Sequence, residues 1–510
     1  MHDTREIETQ DKPKPKRKAL IPFALKIIIA HIIVALLILI PLGIHENRQA
    51  QRDWNAFKVH WEAKGEIFEL KKLIPPQLPD EQNFAEAPII AELFDKSKTP
   101  QIESLEIYGF PAFKENPRAL DFHQAEQRQA LGGGRGQLKD YFEDGKDLSK
   151  IDAAKRLLEA YQPYSSIFDQ LTNASRRAGA SYPIDYENPI FFTLSFPHLR
   201  GIQTAAKSFK LRSLAHLQLQ QNQACVEDLI TIFRLAGMAG SEPLVISHLV
   251  EITLYNLGVP PIWQLLKSRQ LNQAQLFQIL QSLEKINLAE RFHQSIRNER
   301  ASFLSYIDAM LEGKPLQADL RKEPVFFFIE MLGMQDSFFY RNKINYSLFI
   351  QEHFINTAPP PIKIDINALN RTEADLATLN RVRFIRWNPY TKLIQGVAGF
   401  KGITQTSLAT ATRINLARIA IALELHRIEH GTYPKTLAPL SPHYLKSLPL
   451  DLVTDNPLHY RIKTDGTPII YSVGLNQIDE GGLLKKDHEL GDWVWQYTLP
   501  EDFNSTQWRE

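Results

Sequence analysis

Two histidines and a glutamate near residue 430 have the clearest spacing for chemistry in this sequence. The segment at 426–430 reads H-x-x-E-H, the inverted zinc-protease pattern. On a helix, His426 and His430 share one face and can hold Zn²⁺, while Glu429 can activate a zinc-bound water. A third ligand would have to come from a distant carboxylate such as Glu480 or Glu489. The pattern therefore allows a metal-dependent hydrolase as an alternative function.

The position of this segment favours a structural role instead. It forms the last turn of a predicted helix, directly before Gly431, where Arg427 and His430 suit the negative end of the helix dipole. Both histidines point away from the apolar stripe of that helix, so we expect them at the surface and not in a cleft. Because the position argues against a metal site, enzymatic activity is the less favoured interpretation.

Other common catalytic patterns are missing from the sequence. There is no Gly-x-Ser-x-Gly elbow, and LGGGRG at 131–136 lacks the Gly-Lys-Ser/Thr ending of a Walker loop, so we interpret it as a flexible turn. The single cysteine, Cys225, lies in a predicted apolar helix, which favours a place in the core over a nucleophile. One cysteine also excludes an intrachain disulfide and any cysteine-based metal cluster.

The composition is that of a globular protein. The chain has 510 residues, enough for about two to four domains of about 100–200 residues each. It is 44% hydrophobic and 23% charged, so disorder is not expected over most of its length. Its 59 basic and 58 acidic side chains leave a formal net charge of +1, which argues against a nucleic-acid partner.

The chain is organised around an apolar stretch from Pro22 to Ile44. The residues from Ile27 to Ile44 include no Asp, Glu, Lys or Arg. At about 1.5 Å per residue they approach the apolar thickness of a bilayer, about 30 Å, which predicts one transmembrane helix at 22–44. A cleaved signal peptide and a buried soluble helix are the alternatives. The run is long for a signal peptide, and no small-x-small cleavage site follows it.

The charges that flank this stretch predict its orientation. Residues 1–21 form a basic tail, whereas the flank after the stretch has mixed charge; the basic residues are Lys12, Lys14, Lys16, Arg17 and Lys18. Basic flanks stay in the cytoplasm, so the N-terminus is predicted to be cytoplasmic and the bulk of the chain periplasmic or otherwise extracytoplasmic. We therefore expect a single-pass protein of the inner (cytoplasmic) membrane.

Residues 45–130 are predicted to contain a stalk helix and a proline-rich segment. The part from Arg48 to Leu73 is polar and helix-prone, and we interpret it as a stalk that continues the anchor. A membrane-surface role is the alternative for its aromatic residues, Trp54, Phe57, Trp61 and Phe68. Prolines are frequent from Pro75 to Pro117, so 75–120 is predicted to be extended and to pack over the next domain or link to it.

Residues 131–400 are predicted to form an α-helical hairpin domain. Apolar residues recur at helical spacing, most clearly from Ile246 to Leu257, and breaks fall at 220–222, 240–243 and 258–261. Helices joined by short breaks pack as antiparallel hairpins. The arrangement resembles a tetratricopeptide-type or other solenoid, although the sequence has no fixed repeat period. Such stacks usually present a concave binding surface.

A second apolar stretch lies at 324–334 within this domain. It is too short to cross a bilayer and contains Glu330. We predict that Phe326–Phe328 and Phe338–Tyr340 form core. A patch that dips into a membrane or binds a partner is the alternative.

Residues 401–510 are predicted to form a small α+β domain. A helix at 404–431 carries a stripe that comprises Ile414, Ala417, Ile421, Leu425 and Ile428, and Gly431 follows at the C′ position. Strand signals come later, at Pro468–Val473 and Asp492–Tyr497. The predicted fold class is therefore mainly α, with an N-terminal transmembrane helix, the hairpin domain and this C-terminal domain.

Short motifs in the C-terminal domain occur in an order known from one family. They are a Gly-x-Tyr-Pro corner, a Pro-x-Asp segment and a Tyr-Ser-x-Gly loop, formed by Gly431, Tyr433 and Pro434, by Pro449, Asp451 and Pro457, and by Tyr471, Ser472 and Gly474. The domain resembles the globular domain of the type II secretion major pseudopilin. Similar tails occur on large uncharacterised membrane-anchored bacterial proteins, which the whole chain resembles most.

This resemblance implies a calcium-binding loop. Its counterpart here offers Asn476, Asp479 and Asp492, which form a weaker site than the family's, because calcium prefers six to eight oxygens. Without the metal, hydrogen bonds alone would close the loop. The N-terminus departs from the family because it lacks the prepilin leader, so we expect neither processing nor pilus assembly.

Taken together, the sequence favours a membrane-anchored extracytoplasmic binding or scaffold protein of the cell envelope, with a link to secretion as a further expectation. Protein partners in the envelope are expected, and calcium is the one candidate cofactor. The alternatives are the metal-dependent hydrolase with His426, Glu429 and His430, and a pseudopilin-like component of type II secretion.

Overall fold

The structure is a computed structural model, and the protein is mainly helical with one small sheet near the C-terminus, as predicted. The structure describes residues 23–106, 149–186, 195–314, 324–331, 333–355, 371, 399–483 and 491–497. The basic tail at 1–21, the glycine-rich segment at 131–136, Glu489 and, within the predicted hairpin domain, residues 356–370 and 372–398 lie outside the described residues.

The predicted anchor and stalk form one helix, α1 (Phe23–Glu62). Its first half is long and apolar enough to cross a membrane, and almost none of that part is buried against the protein. The helix ends before the predicted limit at Leu73, in a turn where Gly65 adopts a φ of 90°. Glycine reaches this left-handed region without strain, so the chain can reverse there.

The stalk aromatics pack at the junction between α1 and the rest of the protein. Trp54 and Phe68 are buried, with ring centroids 5.9 Å apart in an edge-on arrangement. Their cluster also contains Phe57, Trp61, Leu304, Tyr340 and Ile344. Packing of α1 against the protein therefore explains the spacing of these aromatics.

Residues 63–106 pack against the helical domain through short helical turns, whereas 75–120 was predicted to be extended. These are Leu70–Lys72, Phe84–Glu86, α2 (Pro88–Ala91), Glu92–Phe94 and Gln101–Glu106. Proline starts α2 without cost because the first helical position needs no N–H donor. Phe84, Ile90 and Ile102 are fully buried in the main core. Each turn thus places apolar residues inward although prolines prevent long helices.

Seven of the helices in the described residues build the main body. They are α3 (Lys150–Tyr161), α4 (Ser165–Ala174), α5 (Pro197–Gln218), α6 (Asn222–Ala239), α7 (Val245–Ser268), α8 (Gln273–Glu284) and α9 (Leu288–Leu311). The α5 and α6 helices are joined by a short turn and are linked by an ion pair between Arg212 and Asp228. Cys225 is buried in α6, and burial raises the pKa of its thiol, as befits a core residue.

The predicted helix break at 258–261 is wrong. Pro260 and Pro261 lie inside α7, which continues to Ser268. Each proline removes one intrahelical hydrogen bond. However, the segment is buried, and Gly258 lets it approach α6 so closely that a Cβ atom there would lie 2.4 Å from the Phe233 ring. Core packing therefore keeps this segment helical.

The next helices that the structure describes after α9 are α10 (Pro324–Met331) and α11 (Gln335–Ile350). Phe326 is buried against Phe338 and Phe339, as predicted. Phe327 is not core, because 64% of its surface is exposed. It points outward because neighbouring positions of a single helix turn cannot all face α11.

The C-terminal unit consists of α12 (Phe400–His430) and an antiparallel sheet in the order β1 (His459–Ile462), β2 (Pro468–Ser472) and β3 (Trp493–Gln496). The predicted strands are β2 and β3, and β1 is an addition. In the sheet, Ile470 lies opposite Trp495. Four residues of the predicted α12 stripe are buried, and Ile428, near the end of the helix, is 39% exposed.

The helix α12 shares one hydrophobic core with α6, α7 and α8. Polar contacts also cross this boundary: Asn256 donates to the Thr410 hydroxyl at 2.7 Å, and the Trp263 indole donates to the Gln496 carbonyl at 2.9 Å. The helical part and the C-terminal unit are therefore firmly joined within the described residues.

Candidate functional site

A cleft of about 630 Å³ lies between the turn after α4, helices α6 and α8, and the start of α9. Clefts of roughly 300–1,000 Å³ are typical ligand sites. Its floor includes Phe233 and Tyr255. Most of its lining is polar, namely Ser175, Arg176, Arg177, Gln223, Glu227, Arg234, Ser241, Gln278, Gln281, Ser282, Lys285 and Arg291.

The cleft is strongly basic, because its lining has five basic side chains and one acid. The acid, Glu227, forms an ion pair with Arg176. The Arg177 guanidinium donates to the carbonyl oxygens of Asp80 and Asn83 at 3.0 and 2.6 Å, which fixes it to the segment that covers the domain. Two of the cations are thus held in place by partners from other elements.

Arg291 is held by a buried carboxylate beneath the cleft. Its Nη1 atom lies 2.8 Å from Glu251 Oε1 and donates to the Gly237 carbonyl at 3.1 Å. Glu251 is fully buried and packs so tightly that a Cβ atom on Gly240 would lie 2.3 Å from its carboxyl carbon. Burial and the Glu251 charge raise the pKa of Tyr255, so the phenol stays protonated.

Arg234 and Lys285 are the cations available to a ligand. Among the residues that the structure describes, neither forms a hydrogen bond or an ion pair. Arg234 is half-buried. Burial and the nearby Arg176 charge lower the pKa of its guanidinium, and the Glu227 charge offsets part of this effect. Arginine keeps its charge even so. A half-buried, unpaired guanidinium costs free energy, which an oxyanion in the cleft would relieve.

The H-x-x-E-H segment forms the last turn of α12, as predicted. The rings of His426 and His430 stack with centroids 4.2 Å apart, and the His426 Nδ1 atom lies 2.9 Å from the Thr432 carbonyl oxygen. Glu429 accepts a hydrogen bond from the Tyr444 hydroxyl at 2.5 Å, and this bond lowers the pKa of Glu429. A carboxylate held in this way is a weaker base than the free side chain.

A third ligand for these histidines is not found in the described part of the chain. Glu480 accepts from the Asn476 amide at 3.4 Å, within the loop that follows β2. Across the described ranges, no group of three or more His, Cys, Asp or Glu side chains is arranged to hold a metal ion.

The predicted calcium loop is closed largely by hydrogen bonds to its own main chain. Asp492 Oδ2 accepts from the Gly482 and Glu480 amides at 2.7 and 3.2 Å. Asp479 Oδ1 accepts from the Gly481 amide at 2.9 Å, and Asn476 Oδ1 accepts from the Ile478 amide at 3.0 Å. Two of the three predicted ligands therefore already use an oxygen in turn formation.

Among the three predicted ligands, one side-chain oxygen is buried and accepts no hydrogen bond in the described residues. Asp492 is 5% exposed, and its Oδ1 atom is buried without a hydrogen bond in the described part of the structure. Burial, followed by the charges of Glu480 and Asp479, raises the pKa of Asp492. These features fit a cation that neutralises the group, provided that main-chain oxygens complete its coordination.

The pseudopilin-like motif residues have clear structural roles. Gly431 ends α12 with a φ of 77°, and the Tyr433 hydroxyl donates to Glu424. Asp451 is buried and accepts from the Val453 and Val473 amides at 2.9 and 3.2 Å, which ties the Pro-x-Asp segment to the end of β2. At Gly474, a Cβ atom would lie 2.3 Å from the Gly491 carbonyl oxygen.

The basic cleft itself was not predicted from the sequence. Its cations lie in the turn after α4, on α6, at the end of α8 and on α9, far apart in the chain, so no local motif contains them. The one local signal is Arg234, a lone charge in the apolar run TIFRLAGMAG. Comparison of the chain with protein-family models, curated proteins and solved structures finds no match.

Proposed function

We propose that the chain is a single-pass, membrane-anchored binding protein of the cell envelope. Its basic cleft would lie outside the cytoplasm and take an acidic segment of a partner protein. The observation that carries this proposal is Arg234, a half-buried guanidinium with no partner among the described residues, in a cleft with five cations and one acid.

The lining of the cleft supports a peptide ligand. An arginine fork can bind a carboxylate in a bidentate manner, and Arg234 is available for this. Lys285 can add a single charged donor. Three glutamines, Gln223, Gln278 and Gln281, also line the cleft. Their amides can donate to and accept from a peptide backbone. An acidic peptide therefore matches both the charge and the hydrogen-bonding groups.

Binding of a defined acidic peptide tests this proposal. We would titrate the full chain in lipid nanodiscs into fluorescein-labelled hexaglutamate and follow the polarisation, with hexaglutamine as the uncharged control. We expect saturable binding of hexaglutamate alone, which weakens as salt rises because ions screen charges. Equal binding of the two peptides, or no binding of either, contradicts the proposal.

Two other functions have less support. For the hydrolase alternative, Glu429 is bound by Tyr444, and metal analysis of the purified protein is its direct test. For a pseudopilin-like component of type II secretion, the support is the Pro-x-Asp segment and the Tyr-Ser-x-Gly loop, which Asp451 joins through its hydrogen bond from the Val473 amide. Neither alternative accounts for the unpaired cation in the cleft.

Calcium binding at the C-terminal loop is a separate prediction. If calcium binds near Asp492 Oδ1, millimolar calcium should raise the melting temperature of the protein relative to chelator. Ligand at about 10 to 100 times its Kd stabilises a protein by about 1–3 kcal/mol. The variant Asp492→Asn should lose this response, because the amide carries no charge. Identical melting curves in calcium and chelator would show that hydrogen bonds alone close the loop.

A further inference from the structure

The helix α10 has an exposed apolar face. Phe327 is 64% exposed and Met331 is 53% exposed. These two residues are four positions apart, so they lie on the same side of the helix. The opposite side is packed, because Phe326 and Ile329 are buried in the cluster that contains Phe338 and Phe339. The exposed pair is therefore held rigidly at the surface.

Hydrogen bonds fix the end of α10 beside α1. The Asn47 side chain donates to the Gly333 carbonyl at 2.8 Å and accepts from the Ser337 amide at 2.8 Å. Asn47 follows the apolar stretch by three residues, after Ile44. At about 1.5 Å per residue, this places the turn after α10 about 5 Å along the helix axis from the end of that stretch.

The direction of α11 shows which end of the domain this is. Ser337, at the start of α11, is bonded to Asn47, whereas Tyr340 and Ile344 pack in the cluster of Trp54. As α11 proceeds, it therefore contacts residues of α1 that lie farther from the apolar stretch. The turn between α10 and α11 is accordingly at the end of the domain nearest that stretch.

We propose that α10 inserts Phe327 and Met331 into the lipid interface beside the point where α1 leaves the membrane. This inference rests on the proposed membrane anchoring of α1. Aromatic and apolar side chains of interfacial helices enter the boundary between headgroups and acyl chains. The exposed carboxylate of Glu330 suits this boundary and excludes a deeper position. The contact would fix the angle between the domain and the membrane.

Spin labels at single cysteines test this inference in the full chain. Cys225 would first be replaced by serine, and cysteines would be placed one at a time by Phe327→Cys, Met331→Cys, Ile38→Cys and Ile478→Cys. The Ile38 position reports on α1, and the Ile478 side chain, 59% exposed in the C-terminal loop, is the aqueous control. Each protein is reconstituted with one chain per nanodisc of phosphatidylglycerol and phosphatidylethanolamine, so a second copy cannot cover the patch.

For each spin label, we compare the rate of collision with oxygen, which partitions into lipid, with the rate of collision with a water-soluble nickel chelate. We expect labels at 38, 327 and 331 to favour oxygen, with 327 and 331 at the depth of the interface, and the label at 478 to favour nickel. If the label at 38 favours oxygen while those at 327 and 331 match the label at 478, the inferred contact of α10 with the lipid interface is wrong, although the proposed membrane anchoring of α1 is supported. If the label at 38 favours nickel, membrane anchoring fails, and this inference fails with it.

Discussion

Replacing Glu66 by glutamine is expected to loosen α1 from the rest of the protein. Glu66 is 8% exposed and accepts from Arg297 Nη2 at 2.9 Å and from Arg300 Nη2 at 2.8 Å. Arg300 is fully buried and also donates to Gln351 at 2.7 Å. The variant leaves two arginines without their carboxylate, and breaking a buried pair in this way costs about 3–5 kcal/mol.

Hydrogen exchange would detect this loss directly. Glu66 follows α1 by a short turn, while its partners lie on α9 and after α11, so local unfolding should expose α1 and α11 first. A loss of about 3 kcal/mol or more corresponds to exchange that is about 100-fold faster in amides whose protection depends on this junction. Exchange within threefold of the parent protein would contradict the prediction.

The variant Glu69→Gln is the matched control. Glu69 forms ion pairs with Lys58 at 2.7 Å and Lys72 at 2.9 Å, and the hydrogen bond from Lys58 is the main reason that its pKa is lowered to about 2. Its side chain is 47% exposed, so solvent screens these pairs. We expect Glu69→Gln to lower the free energy of unfolding by less than about 1 kcal/mol, as for other exposed ion pairs.

The Glu66 contribution should also depend on pH. Burial opposes the charged form, but the bonds and charges of Arg297 and Arg300 outweigh it, and the pKa of Glu66 is lowered. A lowered carboxyl pKa adds stability above the ordinary glutamate pKa, and this stability is lost as the pH falls through the folded-state pKa. The difference between Glu66→Gln and the parent should therefore be largest near neutral pH and shrink in acid.

Replacing Arg234 by glutamine is expected to weaken hexaglutamate binding by about 10- to 100-fold, because hydrogen bonds to charged groups contribute about 1.5–3 kcal/mol. Arg234→Lys should give an intermediate affinity, since it keeps the charge but loses the planar fork. The same polarisation titration measures all three proteins. Melting temperatures should change little, because Arg234 forms no hydrogen bond or ion pair with the described residues and loses only its attraction to Glu227.

An exposed cation outside the cleft is the matched control for this substitution. Lys435→Gln removes one positive charge in the C-terminal unit, where Lys435 is exposed. We expect little change in the affinity for hexaglutamate, because Lys435 does not line the cleft. An equal loss of hexaglutamate affinity in Arg234→Gln and Lys435→Gln would mean that the net charge of the protein, and not the cleft, determines binding.

Much of the fold could be predicted because it follows from local periodicity. The apolar stripes of α6 and α12 and the apolar strands β2 and β3 depend on residues close in sequence. Errors arose where tertiary contacts override local rules. Pro260 and Pro261 lie within α7 because core packing compensates for the lost hydrogen bonds.

The candidate site could be predicted less well than the fold. The H-x-x-E-H segment could be recognised in the sequence because its residues are contiguous. In the structure, however, Glu429 accepts a hydrogen bond from Tyr444. The cleft joins Arg176, Arg234 and Lys285 from three elements, and their proximity depends on how the helices pack. The packing of the helices also decides which cations are paired. Arg176 and Arg291 form ion pairs with carboxylates on other helices, Glu227 and Glu251.

Labelling of the cleft in whole cells tests the central claim most directly. In a Cys225→Ser background, Gln281→Cys places an exposed thiol in the cleft, and Thr4→Cys marks the N-terminal tail. A membrane-impermeant maleimide is added to spheroplasts before or after lysis. A membrane-anchored protein that presents this cleft outside the cytoplasm predicts that the thiol at 281 is labelled in intact spheroplasts and the thiol at 4 only after lysis. Labelling of 281 only after lysis would contradict it.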